Sequence, residues 1–184
     1  MSSRFKRIKL AASAVGLLTA ATLALSTTPA SASGTYSGLD YIYGAGTYTD
    51  DWGDEGVTDT THNTSSNATC MWQQILWADG YLTSTAEIDG IFGSRTATAT
   101  ANWQRHFMGA ASADGSAGKN TWGNADNRLS YMSGSEASGQ FLVVAYNGRY
   151  RSFTLARDED GKYRFGDGTG DWWFAGYNYR TCDF

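Results

Sequence analysis

A chain of 184 residues holds one ordinary domain, or a small domain with an extension, and leaves no room for a large second module. Basic residues number 14 and acidic ones 18, and four of the basic ones (Arg4, Lys6, Arg7 and Lys9) precede residue 33 in a stretch without an acid. From Ser33 onward the balance is 10 against 18, a net charge of about −8, which excludes nucleic acid or anionic lipid as the main partner.

Residues 1–32 have the three-part layout of a secretory signal peptide. The four cations form the n-region, Leu10 to Leu25 is an uncharged apolar run, and Ala30-Ser31-Ala32 is a small-residue cleavage site. An apolar run of about 16 residues is short for a membrane span, which needs roughly 20. No membrane contact is therefore expected of the mature form. Export permits a disulfide, and Cys70 and Cys182 are the two available cysteines. Their bridge would tie the end of the chain to its first helix.

Residues 33–66 form a polar segment rich in Gly, Thr and Tyr. Its acidic run, Asp50, Asp51, Asp54, Glu55 and Asp59, lacks the ordered ligand spacing of a calcium loop and reads as a solvated loop. The first helix is expected from about Thr69 to Asp79, with Trp72, Ile75 and Leu76 at helical spacing and Gly80 closing it. A second runs from about Ser94 to Met108, burying Thr96, Ala99, Trp103 and Phe107. A third runs from Lys119 to about Leu129, burying Trp122, Ala125 and Leu129.

One phrase occurs twice between these helices. Asp89-Gly90-Ile91-Phe92-Gly93-Ser94-Arg95-Thr96 and Asp114-Gly115-Ser116-Ala117-Gly118-Lys119-Asn120-Thr121 share Asp, Gly, Gly and Thr at one internal spacing. Each reads as a tight turn opening a helix, because Asp bonds its own backbone two residues on and Gly accepts positive φ.

The pattern Thr69-x-x-Trp72-Gln73-x-x-Leu76-x-x-x-Gly80-Tyr81-Leu82, the first phrase with Ala99 and Trp103-Gln104, and the second phrase with Trp122 together resemble the three-helix peptidoglycan-binding domain. The resemblance covers about Asn67 to Leu129. Thr69 and Trp72 stand where that family has aliphatic residues, and Trp103 stands for its usual Phe. It implies a bundle over residues 67–130 with a shallow groove, and bacterial cell-wall peptidoglycan, glycan strand or stem peptide, as partner.

Residues 131–184 change character. Phe141 to Tyr146 and Arg149 to Leu155 flank Asn147-Gly148, the signature of a two-residue hairpin turn that would set Tyr146 opposite Arg149 and Leu142 opposite Phe153. Asp158-Glu159-Asp160-Gly161 reads as a second turn, Lys162 to Phe165 as a third strand and Asp171 to Tyr179 as a fourth. The expected fold class is α+β, a three-helix peptidoglycan-binding bundle followed by a small antiparallel β meander.

The residues offer little catalytic chemistry. His62 and His106 have no zinc-motif spacing, no Gly-x-Ser-x-Gly occurs, and neither a metal nor a cofactor is expected. Glu87, near Tyr81 and Phe92, is the best candidate for a glycosidase-type acid, though a turn role suits it better. Binding is better served. The helix starts at Gly93 and Gly118 offer backbone N–H groups to a carboxylate, Arg95 adds charge, Gln104 can donate and accept, and Thr96 lies beside them. The expected ligand residues are Gly93, Arg95, Thr96 and Gln104, with no catalytic residue. Trp172 and Trp173 suit core packing or a second sugar platform. The reading is a secreted, extracellular or wall-associated peptidoglycan-binding protein. Its rivals are a wall hydrolase or amidase with a site in the C-terminal β region, and a self-associating scaffold. Oligomeric state stays open.

Overall fold

The computed structural model describes residues 38–184, so the leader lies outside the described residues. Helices α1 (Asn67–Ala78), α2 (Ser94–Phe107) and α3 (Lys119–Ala125) are followed by strands β1 (Leu129–Gly134), β2 (Leu142–Asn147), β3 (Ser152–Arg157), β4 (Tyr163–Gly166) and β5 (Trp172–Phe174). The strands form one antiparallel sheet in sequence order. The α+β architecture is as expected, with five strands instead of three or four. Among the described residues no helix is long and apolar enough to cross a membrane.

Helix starts and stops follow local chemistry. Ser66 caps α1 by accepting from the Thr69 N–H at 3.0 Å. Gly80 takes φ +82° just past its end, where only glycine does so without cost. The first and second helices lie within two residues of their expected bounds. The third breaks after Ala125 into a single 3-10 turn, Asp126–Arg128, that leads into β1.

Strand β1 was not expected, because beyond Leu129 its residues are half-buried or exposed and it shows no apolar alternation. It is an edge strand with a register shift between Tyr131 and Ser133. Strand β5 is shorter than expected. Past Phe174 the chain leaves the sheet and runs along the N-terminal end of α1, where Gly176 and Tyr179 carbonyls accept from Ala68 and Asn67.

The hairpin register is corrected by four positions. Tyr146 faces Phe153 and Leu142 faces Arg157, with residues 148–151 as the loop. Neither Asn147 nor Gly148 takes positive φ, so the two-residue turn does not form. Tertiary contacts decide this. The Tyr150 and Arg151 N–H groups both donate to the Ala78 carbonyl at 3.1 Å, and that of Arg149 donates to Asp79 Oδ1 at 2.8 Å. The loop thereby satisfies the Ala78 carbonyl that the end of α1 leaves open. Gly148 is pressed against this helix end, where a Cβ would lie 2.6 Å from the Ala78 carbonyl.

Helices and sheet share one core. A chain of edge-on ring contacts runs from Trp103 to Trp72, Trp122, Trp52 and Tyr163, so the N-terminal segment's Trp52 joins bundle to sheet. Two of these rings are anchored by hydrogen bonds. Trp72 donates to Thr100 Oγ1 at 2.8 Å and Trp103 to Asp79 Oδ2 at 2.7 Å. Buried Asp79 also accepts from the Tyr146 hydroxyl, which fixes the end of α1 to β2.

The acidic run is not the solvated loop that its composition suggests. Asp50 and Asp54 are exposed, but Asp51 and Glu55 are buried. Asp51 pairs with the equally buried Arg157 at 2.7 Å, and Glu55 accepts from Tyr177 at 2.6 Å and the Tyr43 N–H at 2.7 Å. Arg157 and Tyr177 each lie more than 100 positions away from the acid they satisfy, which local composition does not reveal.

Cys70 and Cys182 are joined as expected, 112 positions apart in sequence. Asn67 reinforces the junction, its Oδ1 accepting from the Thr181 and Cys182 N–H groups. Replacing both cysteines by Ala should lower stability by about 2–5 kcal/mol. The measurement is a urea midpoint, and an unchanged midpoint would contradict the tie.

Candidate functional site at the start of the second helix

The doubled phrase folds into two copies of one hydrogen-bonded turn. In the first, Asp89 Oδ1 accepts from the Ile91 N–H at 2.9 Å, and in the second Asp114 Oδ1 accepts from the Ser116 N–H at the same distance. Gly90 and Gly115 take φ +70° and +78°. A Cβ at Gly90 would sit 2.8 Å from the Cys70 sulfur, and one at Gly115 would sit 2.9 Å from the Ala97 carbonyl. Glycine is therefore required at both by conformation and by space.

A glutamine from the preceding helix locks each turn. Gln73 Nε2 donates to Asp89 Oδ1, the Ile91 carbonyl and Thr96 Oγ1, while its Oε1 accepts from the Gly90 N–H at 2.7 Å. Gln104 makes the same set with Asp114, Ser116, Thr121 and Gly115. Both amides are almost fully buried. Gln104 and Thr96, expected at the ligand, are thus held in the fold: Gln104 is 1 % exposed and Thr96 3 %. The glutamine is the fifth repeated element of the phrase. The shared Trp-Gln pairs, 72–73 and 103–104, were the sequence signal for it.

What remains accessible is the mouth of the first turn. Ala86, Glu87, Asp89, Ile91, Gly93 and Arg95 are among the residues lining a groove of about 250 Å³ at the start of α2. It shares Ser94 and Arg95 with a second hollow of about 380 Å³ along the helix, walled by Tyr81, Thr98, Ala99 and Asn102. Gly93 is the N-cap and no side chain caps α2. Its own N–H is committed to the Ile91 carbonyl, so the helix-start donors are those of the residues after it.

Arg95 is 75 % exposed and pairs with Glu87. Glu87 is no glycosidase-type acid. The Ser84 and Thr83 N–H groups, with Arg95 beside them, pull its carboxyl down to about 2, and it closes a capping box with Ser84. It is ionised wherever the protein is folded at ordinary pH. The second turn has a similar hollow, but its helix has only seven residues, and Asn120 stands where the first copy has Arg95.

Among the described residues no three His, Cys, Asp or Glu gather as metal ligands. His62 lies against Asp59 and His106 against Phe107. Trp173 packs on Phe165 and Phe184, whereas Trp172 is about half exposed.

Fold and groove together define a three-helix module built on two copies of one glutamine-locked turn. Residues 65–123 match the family described as "Putative peptidoglycan binding domain", which supports a peptidoglycan-binding domain over this stretch and peptidoglycan as a partner. The match covers about a third of the chain and leaves the sheet outside it. No curated protein and no solved structure matches the chain.

Proposed function

We propose that this is an exported protein that holds bacterial cell-wall peptidoglycan without cleaving it, through the groove at the start of α2. The observation that carries the reading is the uncapped N-terminus of α2 beside Arg95, inside the matched domain and open to solvent. Helix-start N–H groups and a guanidinium suit a carboxylate such as those of a wall stem peptide. The Tyr81 wall offers an apolar face to the rest of the ligand. The leader's layout and the Cys70–Cys182 bridge support export to an oxidising compartment.

The test is sedimentation with purified sacculi, read together with soluble fragments. The protein should co-sediment and release none. Gly93→Asp is the informative variant. Its φ of −91° suits any residue and nothing lies within 4 Å of a new Cβ, so the fold accepts it. An Asp there caps α2, adding about 1 kcal/mol of stability, and occupies the N–H groups that the ligand needs. Sacculus binding should fall about tenfold, equivalent to about 1.4 kcal/mol. Equal binding by the more stable variant would remove the groove from the reading. Released muropeptides would make the protein a hydrolase, and absence of co-sedimentation would leave a scaffold.

A further inference from the structure

A second cleft lies outside the matched domain. Strand β4 pairs with β3 only at Leu155–Arg157, so among the described residues no strand lies beside the Ser152–Thr154 end of β3 on that side. The gap is a cleft of about 340 Å³, within the range of small-molecule sites, roughly 300–1,000 Å³. Gln74 and Trp77 of α1 form one wall. Ser152 and Thr154 form another, and the loop after Gly166 leads to Trp172 at the far side.

Three observations specify the occupant. Trp172 is 46 % exposed and Trp77 is half-buried, so two indole rings border the cleft. Arg151 stacks on Trp77 with its guanidinium carbon 4.7 Å from the ring centre, which steadies that wall. Gln74 is 2 % exposed, donates through Nε2 to the Gly166 carbonyl at 2.7 Å, and has no donor for Oε1 among the described residues. A buried acceptor without a partner is rare and calls for an N–H or O–H.

Among the described lining residues the single charged one is Asp167, whose carboxylate is taken up by the Thr169, Gly170 and Asp171 N–H groups of its own loop. Among the described lining residues none is a cation, and Arg151 on the Trp77 wall is engaged by that ring and by the Trp77 carbonyl, which disfavours phosphate and carboxylate ligands. Indole rings, hydroxyls and one orphan acceptor suit a ring with an apolar C–H face and donors at its rim.

We propose that this cleft is a saccharide subsite that seats a neutral pyranose ring on Trp172, with a hydroxyl or amide donor of the sugar directed to Gln74 Oε1. It is independent of the α2 groove and does not rest on the function proposed for it. Two neutral glycans separate the sources of such a ring. Tetra-N-acetylchitotetraose carries amide donors, and cellotetraose carries hydroxyls alone.

Calorimetric titration of the purified full chain with each should give binding to at least one. Trp172→Ala should weaken that binding about tenfold, the order of one aromatic contact together with its buried area. Trp172→Phe should retain most of it, and Gly93→Asp should leave it unchanged. Because Trp172 is exposed, its loss leaves the core intact, and an unchanged circular dichroism spectrum checks this. Binding of neither glycan, or binding equal in Trp172→Ala and the parent, would overturn the subsite whatever the sacculus result.

Discussion

Replacing Arg157 by Met should destabilise the chain by about 3–5 kcal/mol at neutral pH, the usual effect of stripping one partner from a buried pair. Arg157 ends β3 with a side chain 2 % exposed. It donates to Asp51 Oδ2 at 2.7 Å, the Gly46 carbonyl at 3.0 Å and the Glu136 carbonyl at 2.9 Å. Asp51 in turn accepts from the Tyr163 hydroxyl and the Ala45 N–H. Burial pushes the Asp51 carboxyl above its ordinary value against the pull of the Tyr163 hydroxyl and of the Arg157 guanidinium, which is always charged.

With Arg157 gone, the buried carboxylate loses its counter-ion and its folded value rises further. The folded chain then holds a proton that the unfolded chain releases above about 3.8. The cost of Arg157→Met is therefore smallest in acid and grows as pH rises. Asp51→Asn added to Arg157→Met should recover part of the loss, since both charges are then removed together. Urea midpoints of the two variants at pH 5 and pH 8 measure this. A loss below about 1 kcal/mol, or one independent of pH, would show that the pair is not the buried ion pair described.

The same contacts show what sequence reveals and what it hides. The helices were legible because each rests on short-range signals: apolar spacing of three and four, Gly80 at positive φ, and two glycine turns locked by nearby groups. The doubled turn was legible too, down to the structural roles of Asp89 and Asp114. Its glutamine lock was less so, because Gln73 stands 16 positions before Asp89 whereas Gln104 stands only 10 before Asp114. That unequal spacing hides the repeat and made Gln104 look like a surface donor.

The hairpin misled for a related reason. Asn147-Gly148 has strong local turn chemistry, but the end of α1, with its open carbonyl at Ala78 and the Asp79 carboxylate, offers the loop more bonds than the tight turn would. At the site, Arg95 was legible as a candidate cation for a carboxylate, whereas its pairing with Glu87 and the groove wall at Tyr81 come from tertiary structure. The cleft beside Trp172 was hidden in the same way, since it arises where β4 stops short of the end of β3.

Glu55→Gln should flatten the loss of stability at alkaline pH. Glu55 is wholly buried, and that burial lifts its carboxyl from 4.5 to about 8, with Asp54 adding a smaller push in the same direction. Its hydrogen bonds from Tyr177 and the Tyr43 N–H pull the other way without prevailing. The folded chain keeps this proton between 4.5 and about 8, where the unfolded chain has released it. Stability contributed by the neutral acid is thus full below 4.5, falls as pH rises through that window at about 1.4 kcal/mol per unit, and levels off above about 8. The total is on the order of 5 kcal/mol.

Asp126 adds to the same slope. Burial, with Asp51 and Asp50 nearby, lifts its carboxyl from 3.8 to about 7. Glutamine reproduces the protonated form of Glu55, with a carbonyl for the Tyr43 N–H and an N–H toward the Tyr177 oxygen, and it does not titrate. The variant should match the parent near pH 4.5 and exceed it by several kcal/mol at pH 9, keeping a residual slope that ends near pH 7 where Asp126 finishes titrating. Thermal unfolding followed by circular dichroism at pH 5, 7 and 9 separates the two acids. Parallel curves for variant and parent would show that Glu55 is ionised in the fold, and that Tyr177 and the Tyr43 N–H outweigh its burial.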